Sequence, residues 1–387
     1  MANTPAPLNP EKWKSDVQDY LNAMLVADKI GDLKSLGGFV NSGDVIHWPY
    51  INDMRVQSYT PGTDLTIDDF VATDDSLTIN RSRAATAYID PQEVKQAEDK
   101  AYPSRLARQA AFVLAQELDQ KVLKDGVDNA TGSVTGGTFT ASNIYSTLTS
   151  AMSTLERQNA TGEMFVVLDP ERVAILAQNE VANGWNVADR ALKNGFVGDS
   201  QAGFKVYSSN NLYSTVTLTM GTQPTATDTV TILGITFTFV AAIGTTAGNV
   251  LRGANAAASQ TNLRTLFNTP GTTTTTGVAL SLANQRVLQN AQASMGAWAT
   301  NVSTIVAYSK IGATSSFSAT ANTFGTETSS FLAGVKGSVK VARQMMPELY
   351  IKEEPKQLGA NYITHHLYGA AVFTRDKDRL AAITYNV

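Results

Sequence analysis

The sequence predicts an α+β fold with a mainly-β domain inserted in its second half. Three observations carry that prediction. A long alanine-rich helix follows a segment of extended strands. A compact piece of alternating helix and strand comes next. Charge then almost vanishes: between residues 215 and 330 lie only Asp228, Arg252, Arg264, Arg286, Lys310 and Glu327, six of the chain's 30 basic and 34 acidic residues.

The chain starts with a proline-rich arm, and Trp13, Val17, Tyr20, Leu21 and Met24 recur at helical spacing, predicting a short helix over Lys12 to Val26. Glycines 37 and 38 end it. Residues 41 to 90 alternate as strands do. Leu77, Ile79, Arg81 and Arg83 share one face, and Thr78, Asn80 and Ser82 the other. Pro61-Gly62 marks a turn. The segment has too few bulky residues for a core of its own, so it must lean on something else.

Asp90, Pro91 and Glu93 then have the pattern of a helix start. Pro103 kinks or restarts that helix, with Ser104 as its cap. Ala107, Ala111, Leu114, Leu118 and Val122 make one apolar stripe, widened by Ala110 and Val113, and Gly126 ends it. So many alanines mean that another element packs closely over this helix.

From 140 to 213 the pattern is α/β. Ser142 caps a helix carrying Ile144, Leu148, Met152 and Leu155; "EMFVVLD" is a short buried strand; Asp169-Pro170 opens a second helix; "GFKVYSSNN" is another strand. Inside the charge-poor block, Val230 and Ile232, then Ile235, Phe237 and Phe239, alternate around a Leu233-Gly234 turn. A helix fits Thr261 to Phe267. Residues 282 to 298 suit helix or loop, and "GTTAGNVLRG" reads as turns. Ordinary charge density resumes at Ser330, so the block is an internal insertion. The remainder to Val387 reads as several long strands.

Composition excludes several functions. The chain has 387 residues, 43% of them hydrophobic, enough for two or three domains. A net charge of -4 argues against a surface built to grip phosphates. With no cysteine there is no disulfide scaffold, thiolate metal site or cysteine nucleophile. No signal peptide and no membrane-spanning run is visible. No phosphate-cradling loop or nucleophile elbow occurs; in "GVKGSVK" the order of Lys336 and Gly337 is wrong for a phosphate loop. His365 and His366 are adjacent in a strand, point to opposite faces and cannot chelate one metal together; His47 stands alone. Asp68, Asp69, Asp74 and Asp75 form an acidic cluster whose spacing matches no calcium loop; a solvated hairpin tip is the simpler reading, and calcium there stays open. The sequence thus offers no catalytic, cofactor or metal residues, and an enzyme, such as a glycan hydrolase, is disfavoured.

An arm, an extended loop, a spine helix, an α/β piece and terminal strands, in that order, resemble the major capsid proteins of tailed bacteriophages, whose fold herpesvirus shell proteins and encapsulins share. The stretches that carry the likeness are "RLARQAAFVLAQELDQKVL", "FVVLDPERVAILAQ" and "LYGAAVFTRDKDRLAAITYNV". "TVTILGITFTFVAAIGTTAGNVLRGANAAASQTNLRTLF" looks like a small β-rich module that recurs in phage virion proteins.

The resemblance implies an N-terminal arm (1–40), an extended loop (41–90), a peripheral domain with the spine helix (91–130 and 346–387), an apical domain (131–214 and 331–345) and the insertion (215–330). It also implies self-assembly, through pentamers and hexamers, into an icosahedral-type shell. That shell would enclose double-stranded DNA without sequence-specific binding, in a virion put together in the bacterial cytoplasm, with no cofactor and no membrane. Scaffolding, portal and decoration proteins would be its further partners. Trp48, Tyr50, Tyr59 and Phe70 would be buried against neighbouring subunits, and Arg81 and Arg83 would pair with a neighbour's aspartates. Some relatives weld the extended loop to a neighbour by a lysine–asparagine bond; residues 41 to 89 contain no lysine, so no such bond is expected. The alternatives are a tail-tube or other virion adhesin protein and an encapsulin-like compartment.

Overall fold

The computed structural model describes residues 26–32, 45–51, 56–65, 67, 72–90, 102–182, 196–295, 300–301, 304–310, 318–320, 322–325, 327–353 and 359–386. The helix expected over Lys12 to Val26, the glycines at 37 and 38, the Asp90–Glu93 helix start and its capping pair beyond Asp90, Phe70, Asp68 and Asp69 lie outside them, wholly or in part.

Along the chain, helix α1 (Ala27–Ile30) precedes strands β1 (Val45–Ile51), β2 (Ala72–Thr78) and β3 (Arg81–Ile89). The long helix α2 (Tyr102–Asp128) leads to β4 (Gly132–Gly137), α3 (Ile144–Arg157), β5 (Met164–Leu168) and α4 (Pro170–Ala182). Strands β6 (Phe196–Gln201), β7 (Phe204–Ser208), β8 (Tyr213–Thr219), β9 (Thr229–Ile232), β10 (Ile235–Val240) and β11 (Asn249–Leu251) follow, then helices α5 (Ala256–Asn268) and α6 (Leu282–Met295). The chain continues through β12 (Thr300–Asn301), β13 (Thr304–Lys310), β14 (Ser318–Ala319), β15 (Thr323–Phe324) and β16 (Thr328–Val335). It closes with β17 (Val339–Glu353), β18 (Ala360–Val372), a 3₁₀ turn (Thr374–Arg379) and β19 (Leu380–Asn386).

These elements fall into two compact units. Among the described residues the first takes those within 31–114 and 337–377; the second takes those within 26–30, 115–336 and 378–386.

In the first unit, β18 lies between β17 and β3 in an antiparallel sheet, and β1 pairs with β2. The extended segment cannot supply its own core and does not: Ile46, Leu77 and Ile79 bury themselves with Ala342 and Phe373 from the end of the chain. The alternation read from the sequence is the one observed, with Leu77 and Ile79 buried and Thr78, Asn80 and Ser82 exposed. Gly369 of β18 permits this contact. A Cβ there would stand 2.5 Å from the Thr78 carbonyl oxygen, a backbone atom that cannot yield.

The second unit is built on a ten-stranded sheet whose main path runs β12-β13-β8-β16-β5-β7-β6, with β15 on β8, β19 on β16 and β4 on β19. Pairs β5–β7 and β19–β4 are parallel. Phe165, Val166, Val167, Phe204, Val206, Phe331, Leu332 and Ile383 are buried in it. A second sheet, β11-β10-β9-β14, turns one face inward. Val230, Ile232, Ile235, Phe237, Phe239 and Val250 on that face meet Leu263, Leu266 and Phe267 of α5 and Leu288 of α6. Thr231 and Thr236 stand opposite one another on the other face and share a hydrogen bond at 3.1 Å. The β9–β10 turn is Leu233-Gly234, both at positive φ (54° and 75°), as a two-residue hairpin of the primed type requires.

Several local expectations are corrected. Gly126 lies inside α2, which runs on to Asp128; the glycine is there because a Cβ would meet Leu332 Cδ2 at 2.5 Å. Helix α2 begins at Tyr102, so Pro103 occupies its first turn, where its missing N–H costs nothing, and Ser104 is not a cap. The residue capping α3 is Asn143, and its side chain accepts from the Thr140 amide outside the helix. Helix α5 starts five residues before Thr261, capped by Asn255, whose side chain accepts from the Ala258 amide. Residues 282 to 295 are helical. Asn249–Leu251, within the stretch read as turns, is a strand parallel to β10. The fall in charge at 215 does not coincide with a sheet edge. Strands β8 and β13 both belong to the large sheet, and Val216 and Leu218 also join the core of the small one.

Candidate assembly surface

Strands β1 and β2 form a hairpin in strict antiparallel register from Val45 opposite Thr78 to Ile51 opposite Ala72. Its base is fastened to the segment after β18. Trp48 stacks on Phe373 with ring centroids 6.4 Å apart. Asp75 accepts hydrogen bonds from the Thr374 amide (2.9 Å) and hydroxyl (2.7 Å). Arg375 donates to the Ile51 carbonyl and lies over the Tyr50 ring at 5.5 Å. His47 Nδ1 and Asp74 Oδ2 are 2.5 Å apart on the exposed side.

Asp74 and Asp75 are therefore strand residues with separate partners, and neither is part of a solvated hairpin tip. Among the described residues no three carboxylates or imidazoles come together as a metal site would need. His47, solitary in the sequence, has Asp74 as a diagonal neighbour across the hairpin, because β1 and β2 pair His47 with Ser76, two residues from Asp74 on the same face.

Beyond the hairpin body the chain is open to solvent. In residues 56 to 65 and 67 all but the half-buried Gln57 are exposed. Val56 is 96% exposed, Ile67 91% and Tyr59 63%, and Leu65 joins them. The Pro61-Gly62 turn forms as expected: Gly62 has φ +90°, and the Thr63 amide and hydroxyl both donate to the Thr60 carbonyl.

The residues singled out from sequence thus divide. Trp48 (38% exposed) and Tyr50 have intramolecular partners at the hairpin base; Tyr59 stands in solvent; Phe70 lies outside the described residues. Arg81 and Arg83 are half-buried on the inward side of β3, each with an interaction inside the chain.

Buried charge is what the sequence reading missed. Asp169 caps α4, accepting from the Arg172 amide (3.3 Å) and guanidinium (3.2 Å), and Glu171 pairs with Arg172 from outside. The Arg172 guanidinium also lies 4.7 Å from the Tyr385 ring centroid. Burial pushes the Asp169 carboxyl above its ordinary range, against the pull of Arg172. Burial likewise pushes the Tyr385 phenol up to about 12. In β18, His366 is fully buried and stacked on Tyr368 at 4.9 Å, while His365 accepts or donates at the Ser82 hydroxyl on the opposite face. Helix α2 buries Glu117, Asp119, Gln120 and Asp125. The apolar stripe places none of these inside, and the helix is covered on more sides than one stripe can signal.

A chain of Mycobacterium phage Che8 has the same arrangement, with a TM-score of 0.55 at 14% identity over 93% of this chain and 91% of that one. The fold is that of a phage major capsid protein. A chain of Mycobacterium phage Ogopogo gives 0.50 at 9% identity, with 94% and 92% of the two chains covered. The capsid structure of the cyanophage P-SCSP1u is a more distant likeness, 0.47 at 13% identity over 89% and 84%. The chain matches no protein-family model and no curated protein by sequence.

Proposed function

We propose that this chain is the major capsid protein of a tailed phage and closes, by contact with copies of itself, into an icosahedral-type shell around double-stranded DNA. One observation carries the reading. Val56, Tyr59, Leu65 and Ile67 sit in solvent on the segment that joins β1 to β2. Fully burying each such side chain is worth about 1.5–3 kcal/mol, and a lone subunit leaves that stabilisation unused. A neighbouring copy supplies the missing surface, and stable obligate interfaces of about 2,000–5,000 Å² need extended segments of this kind.

Pentamers and hexamers are the assembly units in this reading, with the charge-poor residues 215–330 on the outer wall. Assembly takes place in the bacterial cytoplasm; scaffolding, portal and decoration proteins take part, and the shell does no chemistry of its own. No described helix is long and apolar enough to cross a membrane.

Replacing residues 56–67 by two glycines tests this. A wider deletion of 54–79 would also remove β2 and the buried Leu77, so its failure would say nothing about assembly. Electron microscopy of the purified wild type should show closed shells, and the shortened variant should give soluble subunits or capsomers. Tubes from the wild type would favour a tail-tube protein, and normal shells from the variant would remove the loop from the mechanism.

A further inference from the structure

Asp119 lies midway along α2 and is wholly buried. Its partners among the described residues are three neutral N–H donors. Oδ1 accepts from the Ala27 amide at 2.9 Å; Oδ2 accepts from the Val26 amide at 3.2 Å and the Asn211 side-chain amide at 3.1 Å. Two of the three donors belong to the chain's early segment, more than 90 residues away in sequence.

That segment, Val26–Ile30, is a small peg. Val26, Ala27 and Ile30 are buried. Its own hydrogen bonds are Lys29 N–H to the Val26 carbonyl (2.9 Å) and Ile30 N–H to the same oxygen (3.2 Å). Few contacts hold so short a segment, the Asp119 carboxyl prominent among them, so its local opening costs far less than global unfolding.

The charges around the carboxyl do not favour an anion. Asp28, on the peg, repels one. Lys29, also on the peg, has its ammonium 5.8 Å from the Tyr207 ring centroid. Asn211, from the loop before β8, is neutral. A buried carboxylate facing only neutral donors is costly as an ion. Burial accordingly outweighs the three hydrogen bonds and pushes the Asp119 carboxyl up to about 6.

We propose that Asp119 is a proton-controlled anchor for Val26–Ile30: protonated, it holds the segment against helix α2, and ionised, it lets the segment lift away more readily. Lifting admits water to the carboxyl and returns it to its ordinary value near 3.8. Opening is therefore linked to proton loss, and the open form gains as pH rises from 3.8 past 6. By linkage, going from pH 5 to pH 7.5 raises the opening constant ~10-fold. This holds whether or not the chain builds a shell.

Hydrogen exchange read by mass spectrometry on the full-length protein tests the anchor. Peptides spanning residues 24–31 are compared at pH 5.0 and 7.5 after correction for intrinsic exchange rates, with α3 peptides as an internal reference. The expected result is ~10-fold more opening at pH 7.5 in the wild type and equal opening at both pH values in Asp119→Asn. Equal opening in the wild type, greater opening at pH 5.0, or a pH response that survives in Asp119→Asn would each overturn the proposal. The wild-type comparison suffices alone should the variant not fold.

Discussion

Trp48 and Phe373 stack with their planes 28° apart, joining β1 to the turn that precedes the last strand. The indole of β1 thus rests on the chain's penultimate turn, where Asp75 and Arg375 add their bonds. Trp48→Ala should loosen the hairpin base and lower subunit stability by about 1–2 kcal/mol in urea titration, since an aromatic pair adds about 0.5–1.5 kcal/mol beyond its buried area. Tyr59→Ser should leave that titration unchanged within about 0.5 kcal/mol and yet reduce shell yield, because Tyr59 is exposed within one subunit.

Gly126→Ala should destabilise the second unit although alanine is the better helix former by about 1 kcal/mol. The added methyl would lie 2.5 Å from Leu332 Cδ2, and Leu332 is fully buried. Overpacking of this kind costs about 1–3 kcal/mol. Calorimetry should show a lower melting temperature, with part of the loss recovered when Leu332→Val makes room.

His366 should make the first unit acid-labile. Burial, then Arg343 and His365, hold its folded pKa down to about 3, against 6.5 for the free ring. The folded state binds fewer protons, so its stability is intact above pH 7 and drains away as pH falls below 6.5. At pH 5 the loss attributable to this ring is about 2 kcal/mol. Asp119 acts in the opposite sense between about 6 and 3.8, so the ring's share is read from the difference between wild type and His366→Phe at each pH. A constant difference from pH 7.5 to pH 5 would contradict the assignment.

Arg172→Met should be among the most damaging single changes. It leaves Asp169 buried without its cation and removes the guanidinium from the Tyr385 ring. Breaking a buried pair from one side costs about 3–5 kcal/mol. The double change with Asp169→Asn should be milder than Arg172→Met alone, as a double-mutant cycle on chemical denaturation would reveal.

Boiling purified particles in detergent should release a single band at the chain's 41.3 kDa. The extended loop carries no lysine between residues 41 and 89, so the lysine–asparagine weld has no donor there. A ladder of higher bands would mean that a lysine elsewhere is joined.

What could be read from the sequence was what is decided locally. The Leu233-Gly234 and Pro61-Gly62 turns follow from dihedral preference, and the faces of residues 77 to 83 follow from the strand period. Gly126 misled because a glycine near a helix end usually stops it, and only the distant Leu332 reveals that it serves close packing. Asp119, Arg172 and His366 look like surface residues in one dimension. Their burial depends on partners brought from elsewhere: residues 26–27 and 211 for Asp119, Tyr385 for Arg172. The strands β1 and β2 were legible as extended segments, whereas their fastening by Phe373, Thr374 and Arg375 was not, since nothing near residue 48 hints at the far end of the chain.

Thr215 on β8 and Thr328 on β16 face each other in antiparallel register. Two such neighbours need only a tight reverse turn to be joined. The 112 intervening residues are thus a detour that leaves and re-enters the large sheet at one spot. A different passenger could be spliced between those threonines, provided that it replaced the pairing β13 gives to β8. The position is a natural splice site, because its two ends already meet.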